Sequence, residues 1–164
     1  MAMPVRVLGL GNELLADDAF GILVAREIER LALEGVDVIC TPESGFRLLD
    51  YVHGVGRLLV VDTLLTGTAE PGTLYEVGED TVPRTPCNSP HFVGLFETLR
   101  LARQLELPVP DEVRIVAVEA ADCSTIGGAM HPAVRAAIPD AASLVKRNAE
   151  SWGGEPPAGN ADRR

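Results

Sequence analysis

The stretch Val5-Arg6-Val7-Leu8-Gly9-Leu10-Gly11-Asn12-Glu13 decides the fold class. A short apolar run, β-branched in part and halted by two glycines one residue apart, reads as a buried strand that turns sharply where it ends. Asp17 and Asp18 follow where a helix N-cap is expected, and Phe20, Leu23, Val24, Ile28 and Leu31 then recur near the 3.6-residue period. Arg26, Glu27, Glu29 and Arg30 stand between them, giving an amphipathic helix that Gly35 closes. Strand, glycine turn and amphipathic helix are the opening of a βαβ unit.

Working outward, Val36 to Cys40 reads as the second strand and residues 45–52 as a short helix closed by His53-Gly54. Arg57-Leu58-Leu59-Val60-Val61-Asp62 is a third strand, apolar on both faces as in the interior of a parallel sheet, and it ends on a carboxylate. Pro71-Gly72 marks a turn, Leu74 to Val77 a strand, and residues 79–90, which carry three prolines, an irregular loop. Ser89-Pro90 then stands as N-cap and first residue of a helix lined by Phe92, Leu95, Phe96, Leu99 and Ala102, ending before Leu107-Pro108. Glu112 to Ala120 is a further strand and Pro132 to Arg147 a last helix. The alternation predicts an α/β fold: a three-layer α/β/α sandwich around a twisted, mostly parallel, five-stranded sheet. One domain is expected over residues 1–150, followed by a flexible tail, 151–164, that is rich in Gly and Pro and has no periodicity.

Composition removes several classes of function. The chain has 164 residues, 46% hydrophobic and 23% charged, as in an ordinary globular protein. Its net charge of −10 repels phosphate backbones, so nucleic acid is excluded as a partner. No apolar run approaches the ~20 residues a bilayer requires, and no signal peptide is visible, so no membrane association and a cytoplasmic location are expected. Cys40, Cys87 and Cys123 are widely spaced and odd in number, fitting neither a disulfide framework nor a zinc knuckle. The oligomeric state is not written in the sequence, and a monomer is the default.

Gly9-Leu10-Gly11 invites a dinucleotide fingerprint, but Leu14 stands where its third glycine belongs and Cys40-Thr41 where its ribose-binding acid belongs. The usual ligand site of an open α/β sheet is the crevice beyond the carboxyl ends of its strands. Glu13 after the first strand, Asp62 at the end of the third and His91 in the first turn of the helix after the loop converge there. Two carboxylates and an imidazole suit nickel, zinc, iron or manganese. Singly, each has a plainer role: Glu13 as a solvated loop residue, Asp62 as a helix cap, His91 as a packing residue. Cys87 and His91, four residues apart, are the raw material of a thiol protease, although their spacing gives no assurance of contact. His53 and His131 read as surface or capping residues, and Asp122, Cys123 and Ser124 as a loop bordering the crevice.

Residues 9–21, Gly9-Leu10-Gly11-Asn12-Glu13-Leu14-Leu15-Ala16-Asp17-Asp18-Ala19-Phe20-Gly21, resemble the opening motif of the hydrogenase maturation proteases. Leu58 to Thr63, Pro71-Gly72-Thr73, Ser89-Pro90-His91-Phe92-Val93-Gly94-Leu95 and Gly127-Gly128 with Pro132-Ala133-Val134 follow in that family's order, so the resemblance spans Val5 to Arg147. It implies a twisted sheet between helix layers and an endopeptidase that removes the C-terminal extension of a nickel-loaded [NiFe]-hydrogenase large-subunit precursor. It further implies that Glu13, Asp62 and His91 are the nickel-binding and catalytic residues, with the nickel supplied by the precursor. Two positions depart from the family: Cys40 stands at its acidic residue after the second strand, with Glu43 nearby, and Ala19 stands at a frequent glycine. A non-enzymatic nickel carrier using the same three ligands is the alternative. The absence of a His-rich tract favours the protease.

Overall fold

The computed structural model describes residues 4–78 and 93–153. In chain order they form β1 (Val5–Leu10), α1 (Phe20–Arg30), β2 (Val36–Thr41), α2 (Leu49–Val52), β3 (Arg57–Leu64) and β4 (Leu74–Gly78). Then come α3 (Val93–Gln104), β5 (Glu112–Glu119), α4 (Pro132–Ala136) and α5 (Ile138–Gly153), with 3-10 turns at Ala16–Ala19 and Gly45–Leu48. The strand order is β2-β1-β3-β5-β4. All neighbours run parallel except β4, an edge strand antiparallel to β5. This is the three-layer, mostly parallel, five-stranded architecture expected from the sequence.

Side chains alternate across the sheet, as the two-residue period of a strand requires. Val5, Val7, Leu59 and Val61 face one core with Phe20, Val24 and Ile28 of α1 and Val145 of α5. Leu8, Leu10, Leu58 and Val60 face the other, against Leu48, Val52 of α2, and Leu95 and Leu99 of α3. Every residue of β3 is buried, so it is the spine of the sheet. The chain leaves β1 toward β2 on one side and returns to β3 on the other. The β1/β3 boundary is therefore the topological switch point, where the loops above diverge and leave a crevice.

Three local expectations change. Asp17 and Asp18 do not cap α1: they lie inside the 3-10 turn, fully buried, and Ala19 occupies the N-cap position without a side-chain bond. The last helix breaks at Ala137, because Pro139 has no N–H to return to the preceding turn. Its second part also runs past Glu150, the expected domain boundary, to Gly153. Trp152 explains the extension. Only 4% exposed, it stacks 4.4 Å from the Arg114 guanidinium and accepts at its carbonyl from Arg57, so residues 151–153 belong to the fold. Residues 79–92 and 154–164, with Cys87, the Ser89-Pro90 cap, His91 and the remainder of the expected tail, lie outside the described residues.

Helix α1 sits directly on the switch point, and Gly21 makes that possible. A Cβ there would lie 2.3 Å from the Leu10 carbonyl oxygen and 2.4 Å from that of Val61, both backbone atoms that cannot rotate away. Gly21→Ala is expected to lower stability by about 2–3 kcal/mol through forced separation of α1 from β1 and β3, measured by urea unfolding.

Candidate active site

The crevice is built by the chain leaving β1. Gly11 has φ +145, and a Cβ at that position would lie 1.9 Å from the Asp18 carbonyl oxygen, so only glycine lets the loop fold back on the turn that follows. The Asn12 N–H then donates to Asp18 Oδ2 at 2.9 Å, and Asn12 Oδ1 accepts from the Leu14 N–H at 3.0 Å. Opposite, residues 121–131 form the second wall. Leu15 and Ile126 pair in an isolated antiparallel bridge, and the Gly127 N–H donates to the Leu14 carbonyl at 2.7 Å. Leu14 and Ile126 remain 66% and 81% exposed, two large apolar side chains at the mouth.

Asp17 fastens these walls together. Its Oδ2 accepts from the backbone N–H groups of Ala121 (2.7 Å) and Asp122 (2.9 Å), and its Oδ1 from that of His131 (2.7 Å). A fully buried carboxylate is tolerated because three N–H dipoles replace its hydration. Asp122 organises the tip of the same wall. The Thr125 hydroxyl and the Ser124 and Thr125 N–H groups hold its carboxyl down at about 2.

Asp62 and Glu13 sit in different settings, and His91 lies outside the described residues. Asp62 is fully buried near the end of β3, with its Oδ1 accepting from the Thr63 N–H at 2.8 Å. Glu13 is half exposed and bound at both oxygens to Arg26 of α1, at 2.5 and 2.9 Å. Such an exposed pair contributes about 0.2–1 kcal/mol, enough to orient Glu13 but not to anchor the loop. Asp18, which reads from the sequence as a cap, is the carboxylate that the fold brings toward Asp62. It is 1% exposed, and its Oδ1 accepts from the hydroxyl of Thr63, the residue next to Asp62, at 3.4 Å. The charges of Asp17, Asp18 and Asp62 all bear on Cys123, whereas that of Glu13 bears on Cys40 at the end of β2. Thr63 links Asp18 and Asp62, through its hydroxyl and its backbone N–H, at the end of β3.

The other candidates take plainer roles. His131 caps α4, its Nδ1 accepting from the Ala133 N–H at 3.2 Å, and His53 is an exposed residue ending α2. Cys40 lies against the Ile22 carbonyl, and burial raises its pKa against the pull of Arg26. Glu43 accepts from Arg47 at 3.3 Å. Cys123 donates to Thr63 Oγ1 at 3.5 Å, and burial pushes its thiol up to about 11.

The five-stranded, mostly parallel α/β fold is matched among known proteins. Residues 22–148 match the family described as "Hydrogenase maturation protease". Two relatives at 30% identity are the hydrogenase expression/formation protein HupD of Rhizobium leguminosarum bv. viciae, over 91% of this chain and 75% of its own, and HoxM of Cupriavidus necator, over 93% and 77%. Among solved structures, the hydrogenase maturating endopeptidase HybD from E. coli superposes with a TM-score of 0.79 at 27% identity, covering 92% of this chain and 94% of that one. The [NiFe] hydrogenase maturation protease HybD from Thermococcus kodakarensis gives 0.69 at 26%, covering 90% and 99%. The chain belongs to the hydrogenase maturation protease family.

With its thiol at about 11, Cys123 is protonated at neutral pH and is a poor nucleophile. Iodoacetamide labelling followed by peptide mass spectrometry is expected to leave Cys123 essentially unmodified at pH 7.5. Its labelling rate should keep rising toward pH 11, the thiolate appearing only as pH approaches the raised pKa.

Proposed function

We propose that this protein is an endopeptidase that removes the C-terminal extension of a [NiFe]-hydrogenase large-subunit precursor whose nickel is already in place. The observation that carries the reading is the pair of buried carboxylates, Asp18 and Asp62, at the switch point of a hydrogenase maturation protease fold. Among the described residues no group of three His, Cys, Asp or Glu is gathered to hold a metal. The chemistry of the two that converge is that of hard oxygen donors, with His91 as the nitrogen donor expected from the sequence. Such a set forms part of a coordination sphere, and the precursor's own thiolates supply the soft remainder. Nickel enters as part of the substrate, and this chain contributes oxygen ligands that recognise it.

On this reading Asp62 and Asp18 face the nickel, and the peptide bond to be cut lies beside it. Either carboxylate then accepts a proton from the water that attacks the peptide carbonyl and returns it to the leaving amine as the C–N bond breaks. Arg26 orients Glu13 at the rim, where Glu13 meets the incoming chain rather than the metal. Leu14 and Ile126, exposed on both sides of the mouth, give a polypeptide an apolar edge to bind. No described helix is long and apolar enough to cross a membrane. The cytoplasm is the place of action that the reading assigns.

Mass spectrometry of the precursor after incubation is expected to show loss of its extension only when nickel is loaded. Asp62→Ala and Asp18→Ala should each slow cleavage about a hundredfold or more, while Glu13→Ala stays within about threefold of wild type. A Glu13→Ala loss equal to that of Asp62→Ala would return Glu13 to the metal site. If the loaded precursor stays whole and nickel transfers to this chain, the carrier reading replaces the protease. A Leu14→Ser/Ile126→Ser double variant is expected to raise KM about tenfold with kcat little changed, since it removes apolar contact used in binding alone.

A further inference from the structure

Thr63 is bonded to both carboxylates of the crevice. It is 1% exposed and lies next to the last residue of β3. Its backbone N–H donates to Asp62 Oδ1 at 2.8 Å, and its hydroxyl donates to Asp18 Oδ1 at 3.4 Å. The same hydroxyl oxygen accepts from Cys123 Sγ at 3.5 Å. A hydroxyl has one proton to give, so its direction depends on what its other neighbour is. A carboxylate can only accept, whereas the Cys123 thiol is able to donate toward the hydroxyl oxygen. The Thr63 proton is thereby left for Asp18. The chain of donors runs Cys123 to Thr63 to Asp18, from the 121–131 wall across the end of β3 to the turn after β1.

We infer that Thr63 is a positioning residue that sets the two carboxylates relative to one another. The inference rests on the reading of Asp18 and Asp62 as the groups that meet the substrate's nickel. Its physical content is orientation. A carboxylate free to rotate about its last bond presents an oxygen to a ligand only part of the time, and groups that orient ligands are worth about 10- to 100-fold in affinity or rate when removed. The backbone bond to Asp62 survives any side-chain change, so the hydroxyl bond to Asp18 is the part that substitution can remove.

The test compares Thr63→Val, which keeps the β-branched shape and deletes the hydroxyl, with Thr63→Ser, which keeps the hydroxyl. Asp62→Ala and wild type are the references. Cleavage of nickel-loaded precursor by Thr63→Val is expected to fall about tenfold in kcat with KM and the thermal midpoint near wild type, and Thr63→Ser to stay within about twofold. Titration of the metal-free proteins with Ni2+ alone, followed by calorimetry, is the second readout. Thr63→Val should bind more weakly than Thr63→Ser by a similar factor. Equal losses in the two variants, or a Thr63→Val enzyme that matches wild type while Asp62→Ala is inactive, would overturn the role of the hydroxyl and leave the site reading standing. An Asp62→Ala enzyme that cleaves at the wild-type rate would instead overturn the site reading itself.

Discussion

A carboxylate buried without a cation must be given N–H groups or it cannot stay charged, and the upper end of this molecule is arranged around that demand at Asp17. Three backbone N–H groups from a segment more than a hundred residues away converge on it. In meeting the demand they fix the 121–131 wall against the turn after β1. Asp17 thereby ties the turn after β1 to residues 121, 122 and 131. Asp18, the next residue, is carried by the same turn to face the other way, toward Thr63 and the end of β3. One residue holds the site together, and its neighbour lines it.

Much of this is legible in the sequence. The run Arg57 to Asp62 is apolar at every position between the arginine and the acid, a pattern that a central parallel strand explains, and β3 is that strand. Gly9 and Gly11 mark a sharp turn of the backbone at the end of the first strand, and the 1.9 Å approach at Gly11 is the physical reason for it. The differences fall where tertiary structure overrules local preference. Asp17-Asp18 before an apolar helix carries the signature of a cap, yet a single N-cap needs only one acid. The second acid is the available signal that the turn has another task. Trp152 reads as part of a Gly- and Pro-rich tail because its partners, Arg57 and Arg114, belong to strands distant in sequence, and periodicity cannot report a cation stacked on a ring.

The different settings of Glu13 and Asp18 have the same origin. Both acids follow the first strand, and spacing alone places both near its carboxyl end. What separates them is the reversal at Gly11, which turns the Glu13 side chain outward to Arg26 and folds the chain back so that Asp18 descends toward the sheet. A half-exposed carboxylate with both oxygens committed to a guanidinium is oriented along the surface. A fully buried one beside a second acid is held where its charge is costly unless something positive arrives.

That cost bears on selectivity. Burying carboxylates is costly, and a divalent cation bound by them offsets that cost. Desolvation raises the pKa of both Cys40 and Cys123, which disfavours their thiolates as ligands for a free ion. On the proposed reading the described residues offer hard oxygen ligands, whereas a loaded precursor brings nickel already bound to sulfur. Each partner holds an incomplete half of one coordination sphere, and only their union is satisfied. On the proposed reading an unloaded precursor lacks the cation that these oxygen ligands would meet, and that difference discriminates loaded from unloaded substrate.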